Sequence, residues 1–504
     1  MTGTAERVHG LTCREADWAG LRVVVAGLGV SGFAAADALL ERGASVVVVD
    51  GAEATEGTPL RDRSRILDVL GAKVRLGPDA VSALPRPAPD LVVTSPGWRP
   101  DQPLLVAAAA AGVPVWGEVE LAWRMRAREG AAPWLVVTGT NGKTTTVQML
   151  ACMLRAAGLR ARSAGNVGTP LLEAVLHPNP FDVLAVELSS FQLHWSHSIA
   201  PRASACLNVA PDHVDWHGSF EAYLAAKGKV YDRTEVACVY NVEDPRTELL
   251  VEQAEVREGC RAVGFTLGVP APSMLGVVDG VLADRAFVEQ RRHAAAELAT
   301  LEDVRAGAPT VAPHLVANAL AAAALARAHG VPAAAVREGL HAFRPEPHRI
   351  TDVGTVAGVR FVDDSKATNP HAAESSLRAH DGVVWVAGGL LKGADVDALV
   401  AEVAARLRGV VLLGRDRARI AEALARHAPD VPVVDVADTD TGAMDRVVTE
   451  AVALARVGDV VLLAPAAASM DMFRDYGARG DAFAAAVGRL GRAGGTGEEA
   501  GPRT

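Results

Sequence analysis

The 504-residue chain is 50% hydrophobic and 22% charged, the balance of a soluble globular protein too long for one core, so about three domains are expected. Its formal net charge of −10, with no basic stripe to offset it, excludes a dedicated nucleic-acid binder. The longest apolar run, which starts at Leu104, is interrupted by Pro114 and too short to cross a bilayer, so membrane insertion is not expected.

The N-terminus, "MTGTAERVHGLTCREADWAG", is polar and lacks the apolar core of a signal peptide. Cys13, Cys152, Cys206, Cys238 and Cys260 form no C-x-x-C pair, and their odd count suits a reducing compartment. The expected location is cytoplasmic, with the thiols serving as small hydrophobes.

In chain order, the first strand signal is Val23 to Ala26, followed by a helix pattern from Ala34 to Arg42. Between them Gly27, Gly29 and Gly32 give the G-x-G-x-x-G spacing, and Asp50 closes the next strand, "SVVVVD". Taken alone, this stretch favours a dinucleotide. The glycines bring backbone N–H groups to a phosphate at a helix N-terminus, whatever that phosphate is attached to. "DLVVTS" adds a third strand before Val115.

A second glycine loop follows in "WLVVTGTNGKTTT", residues 134–146. Strand, turn, Lys143-Thr144 and helix occur in the order of a triphosphate loop, although Val137 stands where the first glycine belongs. "DVLAVELSSFQL" places Glu187 near the C-terminal end of a strand, where sheet ligands collect and where a carboxylate suits magnesium. "ASACLNVA" leads into "PDHVDWHGSFEAYLAAKGKVY", with His213 and Lys227. Each of these has an ordinary alternative as a strand-end charge, a loop histidine or a solvated helix lysine. Beside a triphosphate loop, together, they read as a nucleotide and metal site.

Residues 268–312 break the strand–helix rhythm and are expected to be irregular, and "FRPEPHR" suggests a linker around Pro345. Strands recur in "VRFVDDS", "VVWVAGG", "GVVLLG" and "DVVLLAPA", and the tail "GRAGGTGEEAGPRT" is expected to be disordered. The alternation predicts an α/β protein of three domains: a Rossmann-like domain over 1–115, a central P-loop ATPase-like domain with a mostly parallel sheet over 116–344, and a second Rossmann-like domain over 345–490, followed by the tail 491–504.

"TGTNGKTT", "ELSSFQL", "LNVAPDHVDWHGSFEAYLAAK", "PHR", "DDSKATN", "GGLLKGAD" and "LLAPAAASMDMFRDYGARGDAF" together resemble the Mur ligase family, ATP-dependent enzymes that add amino acids to the peptidoglycan precursor. Within that family, "SSFQL", "DSKATN" and the first glycine motif resemble the members that add D-glutamate to UDP-N-acetylmuramoyl-L-alanine. The resemblance reassigns the first loop from a dinucleotide to the UDP diphosphate, with Gly29, Val30, Ser31, Gly32, Asp50, Gly97 and Asn166 on that substrate. It assigns Gly139, Thr140, Asn141, Gly142, Lys143, Thr144 and Thr145 to ATP, joined by Asn318, Arg349 and Asp364. Lys143, His213 and Lys227 become the catalytic residues. Thr144 and Glu187 would hold one Mg²⁺, and His213 a second. The lysine matching Lys227 is carbamylated by CO2 in the family, which resolves the repulsion a free ammonium would exert on metal ions. The competing reading keeps Lys227 as a free cation on the transferring phosphate.

For D-glutamate the matching positions are Thr368, Lys392, Ser469 and Tyr476. Tyr476 departs from the family's usual phenylalanine, and "HLVAN" departs from the "HNxxN" adenine motif, so only Asn318 carries over. The implied partners are the two substrates, with a monomeric chain. Rival readings are folylpolyglutamate synthesis, a nicotinamide-dependent oxidoreductase and a non-catalytic nucleotide-binding module. The first leaves the N-terminal glycine domain unexplained, and the second leaves "GTNGKTT" idle.

Overall fold

In the computed structural model, which describes residues 2–53, 55–305, 311–344, 347–438 and 442–495, the valine-rich runs form three sheets. One compact unit extends to Val209 and takes in Gly218–Phe343; the other comprises Ala210–His217 and the chain from Arg344.

The first sheet is built from β1 (Arg22–Ala26), β2 (Ser45–Asp50), β3 (Lys73–Leu76), β4 (Leu91–Thr94) and β5 (Val115–Gly117), in the order β3-β2-β1-β4-β5 and parallel throughout. Val23, Val24 and Val25 are all buried, which is why this strand is a continuous apolar run instead of an alternating one. The strand order reverses beside β1, so the loop after β1 opens where ligands of such sheets gather.

In the same unit, β6 (Trp134–Thr138), β7 (Ala161–Gly165), β8 (Val183–Glu187), β9 (Ala203–Cys206), β10 (Ala237–Asn241) and β11 (Arg261–Phe265) form the parallel part of a nine-stranded sheet. The sheet continues through β12 (Met274–Val278), β13 (Val281–Asp284) and β14 (Ala296–Thr300), the last two antiparallel to their neighbours. This corrects the expectation of irregular structure over 268–312: three short strands extend the sheet, and residues 306–310 lie outside the described residues. The β12–β13 turn is Asp279-Gly280, both at positive φ (47° and 78°), a hairpin signal legible in "VVDGVLAD". The strands themselves are four or five residues long and only partly buried, too weak a pattern to stand out.

Helices Lys143–Ala156, Pro313–Ala328 and Ala333–Ala342 cover this sheet. Ala319 through Ala326 are fully buried, so small side chains are what lets Pro313–Ala328 pack on several sides at once.

The second unit's sheet comprises β15 (Thr351–Val356), β16 (Val359–Asp363), β17 (Val383–Gly388), β18 (Leu407–Leu413), β19 (Val433–Asp435) and β20 (Val460–Leu463), ordered β15-β16-β20-β17-β18-β19. Only β15 is antiparallel. The final helix runs Tyr476–Gly495, so residues 491–495 continue a helix where a disordered tail was expected; Leu490 packs against the core and carries the helix past the glycines. The rest of that tail and the proposed linker at Pro345 lie outside the described residues. No helix among the described residues is long and apolar enough to cross a membrane.

Gly339 sets how closely helix Ala333–Ala342 approaches Lys143–Ala156, because an added Cβ would meet the Met153 backbone, its nitrogen at 2.5 Å. Gly339→Ala is therefore expected to lower stability by about 1–3 kcal/mol, the usual cost of overpacking. Thermal unfolding should show it as a lower Tm, whereas Gly97→Ala, which meets nothing within 4 Å, should leave Tm unchanged.

Candidate active site

The first glycine loop is shaped by two contacts that only glycine permits. Gly27 sits at φ 99°, and a Cβ there would meet Ser95 Oγ at 2.5 Å and Trp98 Nε1 at 2.9 Å. Gly32, on the first turn of helix Val30–Glu41, lies against the Gly27 carbonyl. At Gly29 and Gly97, by contrast, a Cβ would meet nothing within 4 Å, so the protein itself does not demand glycine there. Val30 is 56% exposed in front of the loop, next to the partly buried Ser31. Asp50 ties the loop to β2: its Oδ2 accepts from Leu28 N at 2.7 Å, while its Oδ1 accepts from Ala52 N at 2.9 Å in the turn that follows it. Ser95, whose buried hydroxyl has no hydrogen-bond partner, escaped the sequence reading because it lies one strand away.

The second loop follows β6. Gly139 (φ 153°) and Gly142 (φ 84°) turn the chain so that Gly142 caps helix Lys143–Ala156, aiming its free N–H groups outward as an anion site requires. Lys143 Nζ donates to the carbonyls of Gly139 and Thr140, both at 2.9 Å. Thr144 and Thr145 are buried at the helix start. Asn318 reaches from helix Pro313–Ala328 to the Gly142 backbone, which leaves no room for a Cβ.

Asn208, after β9, clamps this loop. Its Oδ1 accepts from Asn141 N at 2.9 Å, its Nδ2 donates to Asn141 O at 3.2 Å, and its carbonyl accepts from Thr140 N at 3.0 Å. The Thr140 hydroxyl meets the buried Tyr223 hydroxyl at 2.8 Å. Lys227, one turn further along helix Phe220–Gly228, is 2% exposed and donates to Gly139 O at 2.7 Å. Its Nζ lies 4.8 Å from the centre of the Tyr223 ring. Asn208 and Tyr223 were missed because neither residue type signals a phosphate loop by itself.

Glu187 ends β8 at 1% exposure. Its Oε1 accepts from Asn166 Nδ2 at 2.9 Å, and its backbone carbonyl accepts from Asn166 N at 2.8 Å. Oε2 is buried without a hydrogen-bond partner, an arrangement that costs free energy unless a cation or donor completes it. The structure thus joins the expected metal carboxylate to the expected substrate asparagine. His213 lies on the segment grouped with the second unit, at φ 52°, its ring 39% exposed and Nε2 3.6 Å from Asp212 Oδ2. Among the described residues no group of three or more His, Cys, Asp or Glu side chains forms a ready metal cage.

In the second unit, the loops after β16, β20 and β17 bring the expected glutamate residues together. Ala466 N donates to Ala367 O at 3.0 Å, and Leu390 and Ala468 exchange two backbone hydrogen bonds at 2.8 and 2.9 Å. These links place the segments bearing Thr368, Ser469 and Lys392 side by side, with Ser469 buried and Lys392 exposed at φ 51°. The Tyr476 hydroxyl accepts from Lys366 Nζ at 2.7 Å, and the same ammonium lies 3.9 Å from the ring centre, so the departure from phenylalanine has a bonding consequence. Arg479, also unanticipated, is 1% exposed and binds Ser365 and the Ala467 carbonyl; burial pushes its guanidinium down to about 10.

Asp364 is buried at the end of β16. Burial pushes its carboxyl up to about 6, against the Ser376 hydroxyl bond and the Arg349 charge, which favour the ionised form.

Family models match residues 21–117 (Mur ligase MurD-like, N-terminal domain), 137–326 (Mur ligase middle domain) and 348–467 (Mur ligase, glutamate ligase domain). The chain belongs to the Mur ligase family. Among curated relatives, proteins named UDP-N-acetylmuramoylalanine--D-glutamate ligase from Streptomyces avermitilis and Streptomyces coelicolor are 62% and 60% identical, each over 94% of this chain and 99% of its own length. That of Thermobifida fusca is 59% identical over 94% of this chain and 99% of its own length. Two solved structures share the fold. UDP-N-acetylmuramate-alanine ligase from Thermotoga maritima has a TM-score of 0.53 at 20% identity, covering 94% of this chain and 100% of its own. A pseudomurein peptide ligase type C from Methanothermus fervidus has a TM-score of 0.54 at 17% identity, covering 93% and 100%.

Asn208→Ala deletes two side-chain hydrogen bonds to the phosphate loop while leaving its backbone contact. At about 1 kcal/mol per bond, the KM for ATP should rise by roughly tenfold or more. Steady-state kinetics at varied ATP checks this; an unchanged KM would show that the loop keeps its shape without the clamp.

Proposed function

We infer that the chain is an ATP-dependent amide-forming ligase that joins D-glutamate to UDP-N-acetylmuramoyl-L-alanine in peptidoglycan precursor synthesis. The observation that carries this reading furthest is the pair of phosphate-type loops in one unit, at Gly27–Gly32 and Gly139–Thr145. Hydride transfer needs one such loop; ligation of a nucleotide-linked substrate at the expense of ATP needs two. The near relatives, aligned over almost the whole chain, support the same reaction.

A carboxylate is a poor electrophile, so the substrate carboxylate first takes the γ-phosphoryl group of ATP to become an acyl phosphate. The D-glutamate amine attacks its carbonyl carbon, and phosphate leaves from the tetrahedral intermediate. Both steps concentrate negative charge, which positioned cations and N–H groups neutralise. Lys143 swings from its two loop carbonyls to the terminal phosphates, while the N–H groups at the start of helix Lys143–Ala156 hold the others. Asn166, Val30 and Ser31 position the UDP substrate. Asn318, Arg349 and Asp364 hold the nucleotide, and Lys392 pairs with a glutamate carboxylate beside Thr368, Ser469 and Tyr476.

The residues present fit magnesium. The orphaned Glu187 Oε2 and the Thr144 hydroxyl supply hard oxygen donors, and ATP phosphates would complete the shell. Bound there, magnesium supplies charge neutralisation on the phosphates. His213 and a carbamate on Lys227 would serve a second ion. Lys227 is buried and donates to the Gly139 carbonyl; a carbamate there, formed when its neutral amine attacks CO2, would supply the oxygens that a second ion needs.

Phosphate release with ATP and UDP-N-acetylmuramoyl-L-alanine should require D-glutamate and fail with L-glutamate or no amino acid; equal release with both enantiomers would overturn the substrate assignment. Gly29→Val, placed in open space, should fold normally yet raise the KM for the UDP substrate strongly, with little effect on ATP. Lys227→Ala should lose nearly all activity and regain part of it with acetate. Rescue by short amines alone would favour the free cation.

A further inference from the structure

Asp364 poses a physical problem that the residues assigned so far do not solve. Its carboxylate is 7% exposed, at the C-terminal end of β16, and its own N–H is spent on Leu463 O at 2.8 Å. The charged groups around it pull in opposite directions. Arg349, from the segment before β15, attracts the anion, and Arg479 on the final helix is in electrostatic reach. Asp363, the preceding residue, repels it, although that side chain is itself occupied by His348 Nδ1 at 2.6 Å. β20 contributes only the Leu463 backbone.

The Ile350 N–H also bonds the carboxylate, and a side-chain hydroxyl reaches it from a different element. Ser376, 1% exposed on helix Pro370–Leu377, donates its hydroxyl to Asp364 Oδ2. The helix is set for this by its own start: Asn369 caps it, accepting from Ala372 N at 2.9 Å, and Pro370 occupies its first turn. The cap directly ends the "DSKATN" segment that begins at Asp364, so the chain leaves the site and returns to it within two turns. A serine inside a helix ordinarily bonds back to the preceding turn; the Ser376 hydroxyl also has Ala372 O at 3.4 Å, and its short bond is the one to Asp364.

We propose that Ser376 is a positioning residue for the ligase reaction, fixing the Asp364 carboxylate in the orientation its nucleotide contact needs. This rests on the reading of Asp364 as an ATP-contacting group. A hydroxyl hydrogen bond to a carboxylate favours the ionised form, so removing the hydroxyl makes Asp364 easier to protonate. The burial that pushes Asp364 up to about 6 sets the pH at which this matters. Asp364 loses its charge as pH falls through that value, and without Ser376 it loses the charge at a higher pH.

The test is kcat/KM for ATP between about pH 6 and about pH 9, compared for wild type, Ser376→Ala, Ser376→Thr and Asp364→Asn. ATP's own ionisation is common to all four enzymes, so differences between profiles belong to the protein. Ser376→Ala should move the acid limb upward by about one pH unit, the effect of one hydrogen bond to a charged group. Its activity should approach wild type at the alkaline end. Ser376→Thr, which keeps a hydroxyl, should restore the limb toward wild type. Asp364→Asn should remove that limb and raise the KM for ATP at every pH. A uniform loss in Ser376→Ala at all pH values, tracking a lowered Tm, would mean that the serine only packs and would overturn the proposal. An unmoved limb in Ser376→Ala with Asp364→Asn impaired would overturn the role of Ser376 alone. An Asp364→Asn enzyme with unchanged ATP kinetics would overturn the Asp364 reading, and the proposal with it.

Discussion

The Gly139 carbonyl accepts from both Lys143 and Lys227, and the candidate phosphate site is organised around that shared acceptor. With Lys227 unmodified, the two ammonium groups cannot approach each other in the interior without a compensating dipole between them. The carbonyl supplies it, and Gly139 can point its carbonyl there only because φ 153° is open to glycine. Asn208 and Tyr223 then hold the rest of the loop, one on the backbone of Asn141 and the other on the Thr140 hydroxyl. Arriving phosphates would offer Lys143 oxygens with full negative charge, stronger acceptors than the Gly139 and Thr140 carbonyls it reaches here.

The same logic separates the two glycine loops. In the first, the constraint comes from inside: Ser95 and Trp98 crowd Gly27, Gly27 crowds Gly32, and Asp50 ties down the Leu28 N–H. Gly29 and Gly97 lie outside that packing and face open space. The glycines that build the loop and those that leave room before it are therefore different residues, a distinction that the G-x-G-x-x-G spacing alone does not contain. It also explains why the motif cannot report what its phosphate is attached to: the part it encodes is the turn.

How much was legible in the sequence follows from how local each signal is. β1, β6, β8, β17 and β20 are largely apolar runs buried on both faces, so composition alone marks them. Lys143, Thr144 and Glu187 could be read because strand, turn and helix are adjacent in the chain. The strands over 274–300 were not read, since each is short and half covered and draws its stability from its neighbours. Asn208, Tyr223, Ser376 and Arg479 were invisible for another reason. Asparagine, tyrosine, serine and arginine occur throughout any sequence, and only the crossing of distant segments gives these four their partners.

Four buried carboxylates show what the sequence leaves out and the fold supplies. Glu120 accepts from Arg124 Nε, from the Ser198 hydroxyl and N–H, and from His197 N, and these donors outweigh burial and hold its carboxyl below the usual range. It is a structural tie between helix Glu118–Arg124 and residues 197–198, with no bonding capacity to spare. Glu118 accepts from Leu172 N at 2.8 Å, and burial pushes its carboxyl up to about 7. Asp364 lies between these two, with a hydroxyl donor and a nearby guanidinium working against burial. Glu187 alone keeps an oxygen buried and without a partner. All four are acidic residues at the ends of strands or the starts of helices, alike on the page of the sequence. The number and kind of donors each one meets decides whether it fastens the fold, carries a proton or waits for a cation.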